Sequence, residues 1–215
     1  MQSSLLKSIP NIEHWFGHIG AEHGPFGLDW DQKKPHWKQI HGTCIKSIHT
    51  PHEEAGECDG LFTEKEDLPI AVVTADCVPI LLARTDGSAV AALHAGWRGT
   101  LGKIAQIFFA QPEVGSPEKW VATVGPCISM KHYQVSSELL QDFKKEFSHY
   151  TPELFLNEPQ RLLNLPALNI LQLQEIGIHK VENIKVCTFE DMRFYSYRRA
   201  PGLGRQLSFI RRRQG

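Results

Sequence analysis

Val78-Pro79-Ile80-Leu81-Leu82-Ala83-Arg84-Thr85-Asp86-Gly87-Ser88-Ala89-Val90-Ala91-Ala92-Leu93-His94-Ala95-Gly96-Trp97-Arg98-Gly99 is the stretch that decides the fold. Two short apolar runs, Val78 to Ala83 and Ala89 to Leu93, flank Thr85-Asp86-Gly87-Ser88. That connection is too tight for a crossover, so the runs read as an antiparallel pair. Pro79 has no amide donor and weakens the first run as a strand. Beyond Leu93 the apolar residues give way at once to an imidazole, an indole, a guanidinium and two glycines. Polar side chains gathered where a strand ends usually serve a site, and glycine lets the backbone turn sharply and approach a ligand closely. Leu101 to Ala110 then reads as a short helix whose first amides face an anion.

Further runs bounded by turn residues read as strands over Ile70 to Val73, Trp120 to Val124 and Ile184 to Cys187. Helical spacing covers Ser136 to Phe147, with Leu139, Leu140, Phe143 and Phe147 on one face and Ser136 or Ser137 as cap. It recurs over Pro166 to Ile176 with Leu168, Leu171 and Ile176. No repeat, low-complexity stretch or Ser/Gly linker divides the chain. The expectation is one domain over residues 1–215, of α+β or mixed α/β layered class.

Composition sets modest limits. A chain of 215 residues can bury a substantial core without staples. Its formal charge of −1 gives no global attraction to nucleic acid or an anionic membrane. Arg211 to Arg213 reads as a solvated terminal run. Met1 to Pro10 offers only a Leu5-Leu6 pair where a secretory segment needs an apolar core, and nowhere do about 18 apolar residues run together. A cytoplasmic protein acting on a small molecule is expected. The five cysteines, Cys44, Cys58, Cys77, Cys127 and Cys187, are an odd number without a Cys-x-x-Cys pair, which argues for reduced thiols.

Among the ligand-capable side chains, Cys77 lies at the break between two apolar runs, His94 ends the next strand, and His41 stands in Gln39-Ile40-His41-Gly42 before them. If the Asp86-Gly87 hairpin pairs its runs, Cys77 and His94 meet at the same end of adjacent strands. A thiolate with two imidazoles is a borderline-soft set that suits Zn²⁺, and three protein ligands leave a fourth position for water or substrate. For His14, His18, His23, His36, His49 and His52, surface or local packing roles are expected.

Six segments occur in the order seen in one known family. They are Gln39-Ile40-His41-Gly42, Cys58-Asp59-Gly60, Thr74-Ala75-Asp76-Cys77-Val78-Pro79, His94-Ala95-Gly96-Trp97-Arg98-Gly99, Gly125-Pro126-Cys127-Ile128 with Tyr133, and Cys187-Thr188 followed by Phe194-Tyr195-Ser196-Tyr197-Arg198-Arg199. Across about residues 39 to 210 the chain resembles the YfiH-like family, also called the laccase-domain or multicopper polyphenol oxidase family. The resemblance implies a single αββα layered domain of mixed sheets, similar to the fold of a group of cysteine deamidase toxins. It also implies His41, Cys77 and His94 as zinc ligands, purine nucleoside phosphorylase activity and, in bacteria, peptidoglycan editing. One departure stands out. The family's early Ser-Thr-Arg-x-Gly-Gly-like loop is replaced by Gly17-His18-Ile19-Gly20-Ala21-Glu22-His23-Gly24, without an arginine, so that either His18 or His23 serves the phosphate subsite in its place or this member acts on something else.

Charge flow assigns the remaining roles. Phosphorolysis of a purine nucleoside places an anion beside a developing positive sugar. Zinc could orient phosphate or ribose oxygens while Arg98 neutralises negative charge. Asp76 or Asp59 is the candidate to bind ribose hydroxyls or exchange a proton with the base. The same open metal position could serve adenosine deamination. Tyr195 and Arg199 are substrate-binding candidates from the aromatic and basic cluster, which read as a strand puts Phe194, Ser196 and Arg198 on one face and Tyr195, Tyr197 and Arg199 on the other. Three competing readings remain. Cys77 could be a hydrolase nucleophile with His94 as base and Asp76 as helper, acting on an amide of a peptidoglycan precursor. Copper could occupy the His₂Cys set, although no His-x-His pair supplies the further coppers of an oxidase. A non-catalytic zinc module would show a closing fourth ligand such as Cys127 or Cys187.

Overall fold

The computed structural model describes residues 1–157 and 159–215. A six-stranded mixed sheet runs in the order β12 (Lys180–Asn183), β9 (Trp120–Val124), β7 (Val78–Arg84), β8 (Val90–Ala95), β5 (Gly60–Thr63) and β3 (Ile45–Ser47). A three-stranded antiparallel sheet has the order β1 (Ile12–Phe16), β13 (Gln206–Arg212) and β6 (Ile70–Thr74). Two short ladders complete the strands, β2 (His36–Lys38) with β4 (Glu54–Glu57) and β10 (Phe155–Leu156) with β11 (Leu162–Leu163).

The expected hairpin is present. β7 and β8 are antiparallel, with Val78 opposite Ala95 and Pro79 opposite His94. Pro79 lies at the start of its strand, where its carbonyl accepts the Gly125 amide and a missing donor matters least.

Alternation explains the layers. Ile80, Leu82, Ala91, Leu93, Ala122 and Val124 join a core with Ile104 and Phe108 of α4 (Ile104–Phe109), Leu140 and Phe143 of α5 (Ser137–Glu146), and Leu168 and Leu173 of α6 (Leu165–Glu175). Their neighbours Leu81, Ala83, Val90, Ala92 and Val121 face the other way, against Phe16, Ile70, Val72 and Ile210 of the small sheet. Central strands covered on both faces read as continuous apolar runs, as these do. Outside the small sheet, Phe26 and Trp30, the latter on α2 (Gly27–Lys33), pack on Ala71 and Phe209. The order is helices, sheet, sheet, helix, the αββα arrangement expected. A short N-terminal helix, α1 (Ser4–Lys7), inserts Leu6 into the core between the sheets. No helix among the described residues is long and apolar enough to cross a membrane.

Four local expectations are corrected. The single helix expected over Leu101 to Ala110 is two, α3 (Trp97–Leu101) and α4, broken where Lys103 takes φ 57°. The last strand is Lys180–Asn183 rather than Ile184 to Cys187, because the parallel ladder with β9 ends at Asn183 and Lys185 turns with φ 55°. Phe194 to Arg199 forms turns rather than a strand, so the two-face alternation does not apply. Arg211 to Arg213 is no solvated tail. Arg211 is 2% exposed on the middle strand of the small sheet, where it pairs with Glu13 and Asp29 and lies over the Phe26 ring. Arg212 pairs with Glu66 and Arg213 with Asp67.

Candidate metal centre

The chain leaves the small sheet at Thr74 and enters the large one at Val78, so Thr74 to Cys77 bridges the two layers. Cys77 is thereby placed at the end of β7, beside His94 near the end of β8. His41 arrives from a loop held on two sides. Gln39 donates to the Val73 carbonyl at 2.8 Å and accepts the Val73 amide at 2.7 Å, imitating a strand partner along β6. Asp59 accepts the successive amides of Ile40, His41 and Gly42 at 3.2, 2.9 and 2.7 Å. These bonds hold His41 at φ 62°, a left-handed conformation that a non-glycine residue keeps only when its surroundings impose it.

One ligand atom from each of His41, Cys77 and His94 lies within 4.8 Å of the other two. The imidazole centroids are 4.8 Å apart and nearly perpendicular at 77°. His94 Nδ1 lies 2.7 Å from Asp59 Oδ1, so the carboxylate fixes the proton on Nδ1 and leaves Nε2 as the free lone pair. Burial alone would raise the Asp59 carboxyl, but hydrogen bonds from His94, Gly42 and Ile40 hold it below its usual range. Burial likewise opposes ionisation of Cys77, yet hydrogen bonds with His41 and His94 lower its thiol. The His94 imidazole is raised, its burial overcome by Asp59 and Cys77.

The glycines of the motif now have a reason. A Cβ on Gly96 would meet Cys77 Sγ at 3.0 Å, His41 Cδ2 at 3.4 Å and His94 Nε2 at 3.6 Å. A Cβ on Gly99 would lie 3.2 Å from the His94 carbonyl and 3.3 Å from that of Gly42. The space at Gly96 and the donor set of one thiolate and two imidazoles fit a zinc-like or copper-like ion. Neither Cys127 nor Cys187 belongs to the group, and no fourth protein ligand closes it among the described residues.

The group opens on a cavity of about 690 Å³, within the usual range for a small-molecule site. Its wall carries Trp37, Trp97, Tyr133 and Tyr197 as aromatic surface and Arg98, Arg198 and Arg205 as cations. Arg198 is committed to structure, donating to the His132 and Gln134 carbonyls at 2.9 and 3.0 Å. Arg98 lies 4.3 Å over its neighbour Trp97, and neither it nor Arg205 pairs with a carboxylate among the described residues. Thr74 Oγ1 is buried without a partner among the described residues and also lines the wall. Burial pushes the Tyr133 phenol up, which keeps it protonated.

The structure separates the other candidate residues. Asp76 lines the cavity, but its Oδ1 accepts Thr188 Oγ1 at 2.6 Å and its Oδ2 the Arg198 amide at 2.9 Å, tying down the loop that carries Tyr197. Asp59 is fully buried behind the ligands rather than on the wall. Tyr195 is not on the wall either, and Arg199 spends its guanidinium on the carbonyls of Thr188, Phe189 and Phe194. His18 and His23 pack on Phe194 and Phe209 and do not reach the cavity. Arg205, Trp37 and Gln39 were not foreseen as cavity residues. For Arg205 the one available signal is the Gly202 and Gly204 turn that leads into β13.

A family model described as multi-copper polyphenol oxidoreductase laccase matches residues 26–213. A Rickettsia conorii protein named purine nucleoside phosphorylase RC0672 is 31% identical over 169 residues, covering 75% of this chain and 69% of its own length. A Campylobacter jejuni protein named purine nucleoside phosphorylase Cj1217c is 28% identical over 211 residues, covering 96% and 86%. The crystal structure of Neisseria meningitidis protein NMB0706 superposes with a TM-score of 0.77 at 25% identity, over 96% of this chain and 97% of that one. Geobacillus stearothermophilus YlmD gives a TM-score of 0.72 at 28% identity, over 83% and 74%. The chain therefore belongs to the multi-copper polyphenol oxidoreductase laccase family, the YfiH-like proteins.

Proposed function

We propose that the protein is a zinc-dependent purine nucleoside phosphorylase acting on adenosine, inosine or methylthioadenosine in the cytoplasm. The observation that carries this reading is an open group of one thiol and two imidazoles sharing one cavity with two guanidiniums, Arg98 and Arg205, that have no carboxylate partner among the described residues. The names borne by the Rickettsia and Campylobacter relatives support it. His41, Cys77 and His94 would hold the ion, which when bound supplies positive charge for orienting phosphate or ribose oxygens. Arg98 and Arg205 attract phosphate to the same wall. A phosphate oxygen bonds to the anomeric carbon as the bond to the purine nitrogen breaks, and that nitrogen takes the electron pair and then a proton. Tyr197 and Trp37 offer faces for the purine, and the Thr74 hydroxyl, unpartnered among the described residues, can bond the sugar. Asp76 positions the Tyr197 loop through Thr188 and the Arg198 amide, with its wall position open to a ribose hydroxyl.

Adenosine deamination at the same open position is the accompanying activity to test. Metal-replete protein is incubated with each nucleoside, with and without phosphate, and the products are separated. Free base with pentose 1-phosphate, formed only when phosphate is present, supports phosphorolysis. Inosine from adenosine without phosphate supports deamination, and three unchanged nucleosides overturn both.

One observation favours a second reading, a cysteine-type amidase editing misincorporated residues on peptidoglycan precursors. Cys77, His94 and Asp59 form a thiol, imidazole and carboxylate line, with Asp59 rather than Asp76 as the acid behind the base. Metal-free activity abolished by alkylation would select this reading. Loss on chelation with rescue by zinc selects the metal reading over it.

A further inference from the structure

We infer that His132, Cys187 and Glu190 form a second divalent-metal site, of zinc-like preference, on the shoulder of the cavity and separate from His41, Cys77 and His94. One ligand atom from each of the three lies within 4.8 Å of the others. His132 Nε2 is 2.7 Å from Glu190 Oε1, so imidazole and carboxylate already converge. The imidazole is held in plane by Phe189, stacked at 4.4 Å and 24°, and the His132 carbonyl is anchored by Arg198 at 2.9 Å. Cys187 is fixed from the other side. Its backbone forms an isolated parallel β-bridge with that of Cys127, and its sulfur accepts the Ser129 amide at 3.3 Å. One sulfur, one imidazole nitrogen and one carboxylate oxygen make a borderline set that selects zinc over calcium or magnesium, with water completing the coordination.

One charge opposes the ion. Lys131 Nζ lies 3.1 Å from the same Glu190 oxygen, so a cation already occupies the outer side of the carboxylate. A doubly charged ion bonded directly to that oxygen would displace the ammonium, whose exposed pairing is weak.

The site reaches the cavity through the chain. Thr188, next to Cys187, donates to Asp76, and the Asp76 carboxylate holds the Arg198 amide. An ion on Cys187 and Glu190 would therefore brace the loop that presents Tyr197 and Arg198.

Metal-stripped protein titrated with zinc against a chromophoric chelator, and with cobalt for its thiolate charge-transfer band, decides the matter without any nucleoside. Two equivalents are expected in the natural protein. One should survive in His41→Ala/Cys77→Ser with its sulfur band intact, and both equivalent and band should vanish when Cys187→Ser is added. His132→Gln and Glu190→Gln, placed on partly exposed residues, should weaken the second equivalent alone, and Lys131→Gln should tighten it by up to about fivefold. Binding of a single equivalent that disappears in His41→Ala/Cys77→Ser overturns the inference. So does a second equivalent indifferent to both His132→Gln and Glu190→Gln, which keeps the test valid if Cys187→Ser does not fold.

Discussion

Asp59→Asn isolates the carboxylate that stands behind the metal ligands. Asp59 Oδ1 takes the His41 amide and His94 Nδ1, and Oδ2 takes the Ile40 and Gly42 amides. An asparagine of the same shape keeps one acceptor oxygen and turns the other position into a donor. If the amide nitrogen takes the Oδ1 position, it faces the His41 amide and forces His94 to accept at Nδ1, which moves the ring proton to Nε2 and removes the lone pair needed by a metal. If it takes the Oδ2 position, the Ile40 and Gly42 amides are stranded and the His41 loop loosens. A stranded buried donor costs about 1–3 kcal/mol, and loss of the carboxylate behind a histidine ligand typically lowers metal affinity by about 10- to 100-fold. Zinc affinity of the first site should fall by that factor, measured by chelator competition on Asp59→Asn in a His132→Gln background so that one class of site is counted. Affinity within about twofold of the parent would refute the reasoning, because it would mean that neither the tautomer nor the loop depends on this carboxylate.

His14 is fully buried, accepts the Ser3 amide on Nε2 at 2.6 Å, and has a pKa lowered to about 4 from 6.5, first by burial and then by Lys7 and the chain's amino group. The unfolded chain therefore takes up a proton between those values that the folded protein refuses, so stability is intact above pH 6.5 and falls by about 3 kcal/mol as pH drops to 4. Urea midpoints across this window should fall less steeply in His14→Gln, and equal slopes would contradict the assignment. Gly96→Ala places a carbon 3.0 Å from Cys77 Sγ and should weaken metal binding while leaving the fold, as read by circular dichroism, unchanged. Unaltered zinc affinity would mean the three ligands can separate freely. Arg211→Met leaves Glu13 and Asp29 without their shared partner and should cost about 2 kcal/mol in denaturant titration, between the surface and buried ranges because both carboxylates are partly exposed.

The centre of the sheet was legible because both its faces are buried, and burial on both sides writes apolar runs that turn residues delimit. The juxtaposition of Cys77 and His94 follows once the Asp86-Gly87 hairpin pairs its runs, as it does in the register of Val78 with Ala95 and Pro79 with His94. What escaped lay where long-range contacts overrule local pattern. Arg211 and Arg212 mask strand β13, because their charge is neutralised by Glu13, Asp29 and Glu66 from distant segments. The cluster from Phe194 to Arg199 alternates like a strand but has no ladder partner among the described residues and is shaped by Arg199 gathering carbonyls. The sequence offers Asp59 as a candidate to bind ribose hydroxyls or exchange a proton with the base. That it backs the ligands instead of facing substrate depends on the loop at His41 folding over it, which spacing does not encode.

The central claim, that His41, Cys77 and His94 jointly hold an ion with a vacant fourth position, is tested most directly by anomalous diffraction at the zinc edge on zinc-loaded crystals. The account predicts a peak about 2.3 Å from Cys77 Sγ and about 2.0 Å from one nitrogen of each imidazole, with a non-protein fourth ligand. Full loading of the protein with no anomalous density between these three residues would contradict it.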